Sequence, residues 1–449
     1  MKENEKLQNL DENKEQEAKT NSSYLTGKEI RKIAKANKKV MKRLEAYKYR
    51  KAKESEFTTE LKDSKNILEI EDLHTYFFTD QGVVKAVNGV SFDIPKNATV
   101  GVVGESGCGK SVTSMSVMRL LQGPQGQIYS GDIRFKATDY KHDEKGNMIP
   151  VYKRDENGEI VYEEKETKNG TEKVPVQKTN EYGVLEYEME EKIYDIAKMP
   201  IREIHRIRGK QIAMIFQEPM TSLNPIFTIG QQLDEVTFIH VPGATKQMAK
   251  DKSLEMLNLV GIAMPERVYK AYPHELSGGM RQRVMIAMAL ACNPRLIIAD
   301  EPTTALDVTI QAQILDLLRN LKEKIDGSIL LITHDLGIIA EMADYVVVMY
   351  AGRVIEKGTV SEIFHNPLHP YTMGLQKSKP TLESNTDTLF NIPGNVPNPI
   401  NMPNYCHFRE RCSKCSLKCF EGDYPKMVQV SPTHFVACHL YGNEEEQNG

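Results

Sequence analysis

The sequence lacks the features that would place it in a membrane or outside the cell. No run approaches the roughly 18 apolar residues of a transmembrane helix, and the polar N-terminus has no apolar core of a signal peptide. Cysteine is scarce, with 7 in 449 residues, and the net charge of -4 gives no general case for nucleic acid as a partner. We therefore expect a cytosolic chain, in which clustered cysteines are metal ligands or redox groups more often than disulfides.

The charged residues that the chain does have are unevenly distributed. Residues 28–53 carry twelve lysines and arginines against two glutamates, and apolar residues recur between them close to the helical period. This pattern predicts a basic amphipathic helix within an N-terminal extension, residues 1–65. A solvated arm, attachment to an anionic membrane face and attachment to RNA are the open interpretations.

A second charged region interrupts the chain at about 137–198. Residues 141–196 carry fifteen acidic against nine basic residues. Asn-Gly dipeptides at 157–158 and 169–170 are typical of tight hairpin turns. We expect an inserted β-hairpin excursion at the surface, and a flexible acidic loop is the alternative.

A glycine-rich loop supplies the first chemical motif. The stretch GVVGESGCGKS ends in G-x-x-x-x-G-K-S at residues 104–111, between a strand pattern and a helical pattern. In this context backbone N–H groups wrap a phosphate chain, and the helix N-terminus adds its positive end. We expect Lys110 on the β- and γ-phosphates and Ser111 on Mg²⁺, with Cys108 an ordinary small loop residue.

A second apolar strand ends in two carboxylates. RLIIADEP places Asp300 at the strand end, where it can hold Mg²⁺, and Glu301 next to it, where it can polarise an attacking water. Together with the phosphate loop, this pair indicates nucleotide hydrolysis. Strand and helix patterns alternate from about 201 to 360, which predicts an α/β P-loop NTPase fold with a largely parallel sheet.

Further motifs give the chain a resemblance to a known family. LSGGMRQ, residues 276–282, resembles the signature motif of the ATP-binding subunits of ABC transporters. Gln217 in IFQEP resembles that family's Q-loop, and Asp307, which closes TALD, resembles its D-loop. His334 in LITHD resembles the switch histidine. Phe77 resembles the aromatic residue that stacks on adenine.

The resemblance implies a role for each of these residues. Catalysis would involve Glu301, His334 and Gln217. Mg²⁺ would be held by Ser111, Gln217 and Asp300. The implied ATP contacts are Phe77, Gly104, Glu105, Ser106, Gly107, Cys108, Gly109, Lys110, Ser111, Val112, Gln217, Asp300 and His334. The residues that would contact the ATP of a partner subunit, across a dimer, are Leu276, Ser277, Gly278, Gly279, Met280 and Gln282.

The resemblance also divides the chain. It implies a nucleotide-binding domain at 66–360, with the acidic insertion at about 137–198 and a helical subdomain at about 218–290. Residues 361–449 would form a small, cysteine-rich C-terminal domain. The basic extension and the acidic insertion lie outside the resemblance.

Three stretches narrow the resemblance to importers of oligopeptides and dipeptides, or of nickel, and to the D-type ATPase subunit of oligopeptide permeases. They are IFQEPMTSLNP, HNPLHPYTMGL and the cysteine-rich tail. The implied partners are two membrane permease subunits, a second homologous ATP-binding subunit and, indirectly, an extracellular peptide-binding protein. The chain would then be peripheral on the cytoplasmic face of the cell membrane, with no nucleic acid bound.

Five cysteines near the C-terminus follow the spacing C-x5-C-x2-C-x3-C-x18-C. The family tail resembles C-x5-C-x6-C-x18-C, which matches Cys406, Cys412, Cys419 and Cys438 and leaves Cys415 surplus. Four thiolates suit tetrahedral zinc or an iron–sulfur cluster. The resemblance implies a [4Fe–4S] cluster, with zinc, free thiols or a disulfide as alternatives.

These observations predict an ATP-hydrolysing subunit that powers uptake of oligopeptides or dipeptides. A soluble ABC ATPase acting on the ribosome or on nucleic acid is one alternative, which the basic N-terminal stretch favours and the single phosphate loop disfavours. Nickel or another solute as cargo is a second. A metal- or redox-sensing protein with an inactive ATPase is a third, and intact Glu301 and His334 count against it.

Overall fold

The structure is a computed structural model of the chain, and it describes residues 25–167, 170–217, 222–303, 308–325, 327–378 and 390–441. The strands are β1 (Asn66–Phe78), β2 (Val83–Pro95), β3 (Thr99–Val103), β4 (Gly126–Tyr140), β5 (Tyr162–Thr167), β6 (Gly170–Pro175), β7 (Met189–Asp195), β8 (Ile212–Ile215), β9 (Leu296–Asp300), β10 (Ser328–Thr333), β11 (Tyr345–Tyr350), β12 (Arg353–Thr359), β13 (Val428–Gln429) and β14 (Phe435–Val436). The helices are α1 (Gly27–Lys48), α2 (Lys110–Val117), α3 (Ile229–His240), α4 (Lys246–Leu259), α5 (Pro265–Lys270), α6 (Gly278–Leu290), α7 (Val308–Ile325), α8 (Leu336–Met342), α9 (Val360–His365) and α10 (Pro370–Lys377).

An eight-stranded main sheet runs in the order β13-β14-β12-β11-β3-β10-β9-β8. The strands from β11 to β8 are parallel, and β3, β9 and β10 are buried along their whole length. Such strands need apolar residues on both faces, which explains their continuous apolar runs. The predicted α/β core with a largely parallel sheet is confirmed.

Alternate residues of the central strands face two different cores. In β9, Ile297 and Ala299 pack with α6, α7 and α8, whereas Leu296 and Ile298 pack toward an antiparallel sheet. That second sheet has the order β2-β1-β4-β7. Because the carboxyl ends of parallel strands meet at one edge, the segments that follow β3, β9 and β10 come together there.

The helices between β8 and β9 are held together by hydrogen bonds to one half-buried carboxylate. Asp234 in α3 accepts hydrogen bonds from Ser253 Oγ in α4 and from Tyr269 Oη, at the end of α5, both at 2.6 Å. Thr228 begins α3 with a capping box that it shares with Gln231. These contacts position α6, whose N-terminus carries the predicted signature motif.

The acidic insertion forms a ladder of short hairpins between β4 and β7. Three of its turns share one construction, in which the side chain of Asp143, Asp155 or Asn180 accepts hydrogen bonds from the N–H groups two and four residues later. A glycine with φ of 84°, 84° or 75° follows three residues after each. The predicted turn at 157–158 is one of the three, and Asn169 lies outside the described residues.

The predicted basic helix is α1, and its apolar stripe is used for packing. The stripe faces β1 and β4. Asn37 is buried within it and donates from Nδ2 to the backbone oxygen of Thr79 at 2.6 Å. Glu45 accepts from Gln127 Nε2 at 2.5 Å. The helix therefore lies on the antiparallel sheet with its half-buried apolar stripe toward the sheet and most of its lysines and arginines exposed.

The predicted C-terminal domain, residues 361–449, is joined to the main sheet in the part that the structure describes. Strand β14 pairs with β12 and extends the main sheet. Cys406, Phe408 and Cys419 belong to the same core as residues of β3 and α8. A short segment rich in proline and cysteine cannot form a sufficient core alone, so its apolar side chains are buried against the main sheet instead.

A buried carboxylate ties this region to β12. Glu356 is 0% exposed and accepts from the N–H groups of Leu368 at 2.7 Å and His369 at 2.9 Å. His434 Nε2, next to β14, lies 2.8 Å from its Oε1. Because an unpaired buried carboxylate is costly, these bonds fix both segments against the sheet.

Candidate active site

A cavity of 550 Å³ opens at the carboxyl edge of the main sheet. It is lined by Ala86, Ser106, Gly107, Gly109, Lys110, Ser111, Val112, Gln217, Glu301 and His334. All of these except Ala86 are predicted from the sequence as ATP-binding or catalytic residues. The structure therefore brings together the phosphate loop and the residues that follow β8, β9 and β10.

The phosphate loop needs glycine for a steric reason. Gly107 and Gly109 have φ of 78° and 100°, in the region that other residues rarely adopt. A Cβ on Gly109 would lie 2.4 Å from the backbone oxygen of Ala86 in β2. This close approach places Ala86 in the cavity wall, and no local sequence pattern could have shown it.

Lys110 is held across the loop. Its Nζ donates to the backbone oxygen of Gly104 at 2.7 Å and of Glu105 at 3.1 Å. The residue is 5% exposed and begins α2, so its charge and the helix N-terminus act on the same space. Cys108 is buried, and burial raises the pKa of its thiol, which agrees with an ordinary loop residue rather than a reactive one.

Two oxygen donors face each other beside the loop. Ser111 Oγ donates to Asp300 Oδ1 at 3.0 Å. Asp300 is buried at the end of β9, and burial raises the pKa of its carboxyl, although the hydrogen bond from Ser111 opposes this shift. A hydroxyl and a carboxylate are donors that Mg²⁺ prefers, so the residues present fit the predicted ion.

Glu301 is held by contacts to both of its carboxylate oxygens. Gln217 Nε2 donates to Oε2 at 3.0 Å, and His334 Nδ1 lies 3.3 Å from Oε1. Glu301 has a φ of 46°, an uncommon value for a non-glycine residue and one that recurs at functional sites. Its N–H still donates to the Ile332 oxygen of β10 at 2.8 Å. These contacts direct the carboxylate into the cavity.

The signature residues, all of them described, lie outside this cavity. Ser277 caps the N-terminus of α6, where its side chain accepts from Met280 N–H at 3.3 Å. Leu276 is buried. Gln282 is also buried, and its Nε2 donates to the Pro302 oxygen at 2.7 Å, which links α6 to the segment after Glu301. Within one chain, the motif is therefore presented on a separate surface.

One predicted site residue lies apart from these groups. Phe77 is described but is not among the residues lining the cavity. It packs against Gly126, where a Cβ would lie 2.8 Å from Phe77 Cε1. Its role as an adenine platform stays a prediction. Asp307 lies outside the described residues.

The five C-terminal cysteines cluster without forming a ligand set. A hydrogen bond from the Cys406 thiol lowers the pKa of Cys419 to about 5 and raises that of Cys406. Cys415, the surplus residue of the predicted pattern, also lowers the pKa of Cys419. Within the described part of the chain, no three His, Cys, Asp or Glu side chains are arranged to hold a metal ion. The geometry thus gives no support to a [4Fe–4S] cluster or to zinc.

Comparison with known proteins settles the family. The family model described as "ABC transporter" matches residues 87–304, and that described as "Oligopeptide/dipeptide transporter, C-terminal region" matches residues 355–419. The chain belongs to the ATP-binding subunits of oligopeptide and dipeptide ABC transporters. The second match begins within β12 and ends at Cys419, so this C-terminal region starts inside the main sheet and leaves Cys438 outside.

Curated relatives agree with this assignment over most of the chain. The oligopeptide transport ATP-binding protein AppD of Bacillus subtilis is 44% identical over 378 residues, which cover 84% of this chain and 98% of AppD. OppD of the same organism is 46% identical over 83% of this chain and 88% of OppD. The dipeptide transport ATP-binding protein DppD is 42% identical over 85% of this chain and 96% of DppD. The chain is therefore an ABC-type ATPase.

Proposed function

We propose that this ABC ATPase powers the uptake of oligopeptides or dipeptides through membrane permease partners. The observation that carries the proposal is the convergence of Ser111 with Asp300, and of Gln217 and His334 with Glu301, at one cavity beside the phosphate loop. The relatives named as oligopeptide and dipeptide transport proteins supply the substrate class.

The polar residues at the cavity and beside it have defined tasks in ATP hydrolysis. Loop N–H groups and Lys110 bind the phosphates. Ser111 and Asp300 would hold Mg²⁺, with Gln217 the further predicted ligand, and the ion would neutralise charge that develops on the phosphate oxygens. Glu301 orients the attacking water and accepts its proton. Gln217 and His334 keep the Glu301 carboxylate directed into the cavity.

A second ATP-binding subunit completes the site. The signature motif at the N-terminus of α6 lies outside the cavity of its own chain. Its exposed N–H groups and helix dipole suit the phosphates of an ATP bound by a partner. The partner is a homologous ATP-binding subunit, and closure of the pair around ATP drives the two permease subunits. An extracellular peptide-binding protein delivers the peptide to those permeases.

The chain is peripheral on the cytoplasmic face of the membrane. Among the described residues, no helix is both long and apolar enough to cross a bilayer. The outward surface of α1 carries exposed cations, which suit an anionic lipid surface. They are Lys28, Arg31, Lys32, Lys35, Lys38, Lys39, Lys42 and Arg43.

Transport in reconstituted vesicles tests the function. The full chain, its permease subunits and the second ATPase subunit are assembled in liposomes with the binding protein, and uptake of labelled peptides is followed with and without ATP. Glu301→Gln should abolish uptake and lower ATP turnover by at least about a hundredfold, because the water loses its base. Glu60→Gln, an exposed position before β1, is the matched control. ATP-driven uptake of nickel but of no peptide would refute the substrate class.

The cofactor of the cysteines stays a prediction, which rests on the resemblance of their spacing to that of the family tail. Cys406, Cys412, Cys419 and Cys438 remain the proposed [4Fe–4S] ligands, with zinc as the alternative. Iron, acid-labile sulfide and zinc measured on the full chain purified without oxygen would decide between them.

A further inference from the structure

An arginine of the C-terminal region binds the phosphate loop directly. Arg411 NH1 donates to Glu105 Oε2 at 2.7 Å, and NH2 donates to Glu105 Oε1 at 2.9 Å. The side chain of Arg411 is only 6% exposed. This is a two-point, charge-assisted contact of the kind that fixes both partners in space. It joins the first variable residue of the phosphate loop to the residue that precedes Cys412.

The backbone of the same loop residue is held by a second element. Glu105 N–H donates to the hydroxyl of Tyr371, in α10, at 2.8 Å. Tyr371 is fully buried and packs against Tyr350 and Phe408, with ring centroids 4.7 and 5.4 Å apart. Aromatic packing of this kind gives the hydroxyl a fixed position.

Arg411 is itself anchored around this aromatic group. Its Nε donates to the Pro393 oxygen at 2.9 Å, and its guanidinium also reaches the Tyr350 hydroxyl and the Ile392 oxygen, both at 3.3 Å. The Arg411 guanidinium thus donates both to the phosphate loop and to the C-terminal residues that pack beneath it. The Arg411 guanidinium is therefore held in one position and is not a mobile surface charge.

The contacts of Arg411 and Tyr371 with Glu105 affect nucleotide binding in two ways. Lys110 Nζ is bonded to the backbone oxygens of Gly104 and Glu105, so movement of Glu105 would move the phosphate-binding lysine. An unpaired Glu105 carboxylate would also place a negative charge in the loop that receives the triphosphate, and Arg411 neutralises it. We propose that Arg411 and Tyr371 are positioning residues for the phosphate loop, through which the cysteine-bearing C-terminal region sets the affinity for ATP.

A neighbouring arginine offers a matched control. Arg409 lies in the same short turn and is similarly buried, at 8% exposed, with its guanidinium carbon 3.4 Å from the centre of the Tyr405 ring. Replacing either arginine removes a buried guanidinium from this region. Of the two arginines, Arg411 has a described hydrogen bond to Glu105 and Arg409 has none. Comparing the two variants separates loop positioning from general stability.

The test is a calorimetric titration of the full chain with a non-hydrolysable ATP analogue, combined with thermal unfolding without nucleotide. Arg411→Met should raise the Kd about tenfold, because a charge-assisted pair is lost. Arg411→Lys should recover part of this affinity. Tyr371→Phe should raise the Kd by a smaller factor. Arg409→Met should leave the Kd within about twofold even where it lowers the melting temperature as much as Arg411→Met does.

Glu105→Gln supplies the second arm of the test. Added to Arg411→Met, it should return the Kd toward the wild-type value, because the unpaired charge is removed. Equal Kd increases in Arg411→Met and Arg409→Met, an unchanged Kd in Arg411→Met, or a further loss in the double variant would each overturn the inference. The inference rests on the proposed ATP site. If the wild-type chain failed to bind the analogue, the proposed ATP site would be refuted. If the wild type bound it and Arg411→Met bound it with the same Kd, only the positioning role of Arg411 would be refuted.

Discussion

Asp300 is a carboxylate placed where water cannot solvate its charge. Burial raises the pKa of its carboxyl, so the folded state binds this proton more readily than the unfolded state does. Above that pKa the ionised group therefore costs stability, and the cost disappears as the pH falls through the folded pKa. In the proposed mechanism this charge would hold Mg²⁺.

Asp300→Asn should thus make the protein more stable and inactive. The amide oxygen can still accept from Ser111 Oγ, but the buried charge is gone. We expect the melting temperature of the nucleotide-free chain to rise at pH 7. The gain should shrink at lower pH, and ATP turnover should fall by at least about a hundredfold. Calorimetry at two pH values checks this, and a lower melting temperature at pH 7 would contradict it.

The residues of the cavity differ in how far the sequence could predict them. Lys110, Ser111, Asp300 and Glu301 belong to short motifs whose spacing reflects local geometry, a glycine turn before a helix or a carboxylate at a strand end. Arg411 has no such pattern. Its partner lies 306 residues away, so the pair exists only because β12 and α10 carry the C-terminal region back across the sheet.

At the scale of the elements, helix α1 has two different faces, one packed on the antiparallel sheet and one exposed. Asn37 and the apolar stripe bind the antiparallel sheet, and the lysines on the opposite side remain exposed. The charge and apolar pattern could predict the helix. The face of the helix that is covered depends on the turn between β1 and β2, where Asn37 donates to the backbone oxygens of Thr79 and Gly82. The exposed face is therefore dominated by positive charge.

Lipid binding by α1 should therefore depend on lysine charge and on salt. Replacing Lys35 and Lys39 by glutamine should weaken binding to vesicles containing phosphatidylserine by about 2 kcal/mol, roughly thirtyfold, since each lysine near such a surface contributes about 1 kcal/mol. Binding of the wild type should fall steeply between about 0.1 and 1 M salt. Vesicle co-sedimentation measures both.

The control for the α1 variant removes two lysine charges from a different helix, α4. Lys246 and Lys250 lie one helical turn apart on α4 and are equally exposed. Their replacement by glutamine should leave vesicle binding nearly unchanged. Equal losses in the two double variants would show that net charge, and not the α1 surface, decides binding.

On the scale of the whole molecule, the chain carries a phosphate cavity and a signature surface that do not meet. Gly278 begins α6, and a Cβ there would have no described heavy atom within 4 Å. Gly278→Asp should fold normally, since an acidic side chain is favourable in the first turn of a helix. The isolated chain should bind the ATP analogue as before. Turnover in the assembled transporter should fall by at least about a hundredfold, because the carboxylate opposes the partner's phosphates.

The first turn of α1 provides the matched substitution. Gly27 also begins a helix, and a Cβ added to it would likewise have no described heavy atom within 4 Å. Gly27→Asp makes the same chemical change away from both nucleotide surfaces and should keep wild-type turnover. If Gly278→Asp kept it too, the site would not depend on a partner's signature motif.

The distance along the chain between Glu105 and Arg411 has a consequence for biosynthesis. The ribosome makes the phosphate loop 306 residues before the arginine that braces it. At about 5–20 residues per second, this interval is roughly 15–60 s. During most of that time the chain also lacks β10 and β11, the strands that flank β3 and support the loop. Full affinity for nucleotide is therefore acquired late in translation, after the C-terminal segment has emerged and docked.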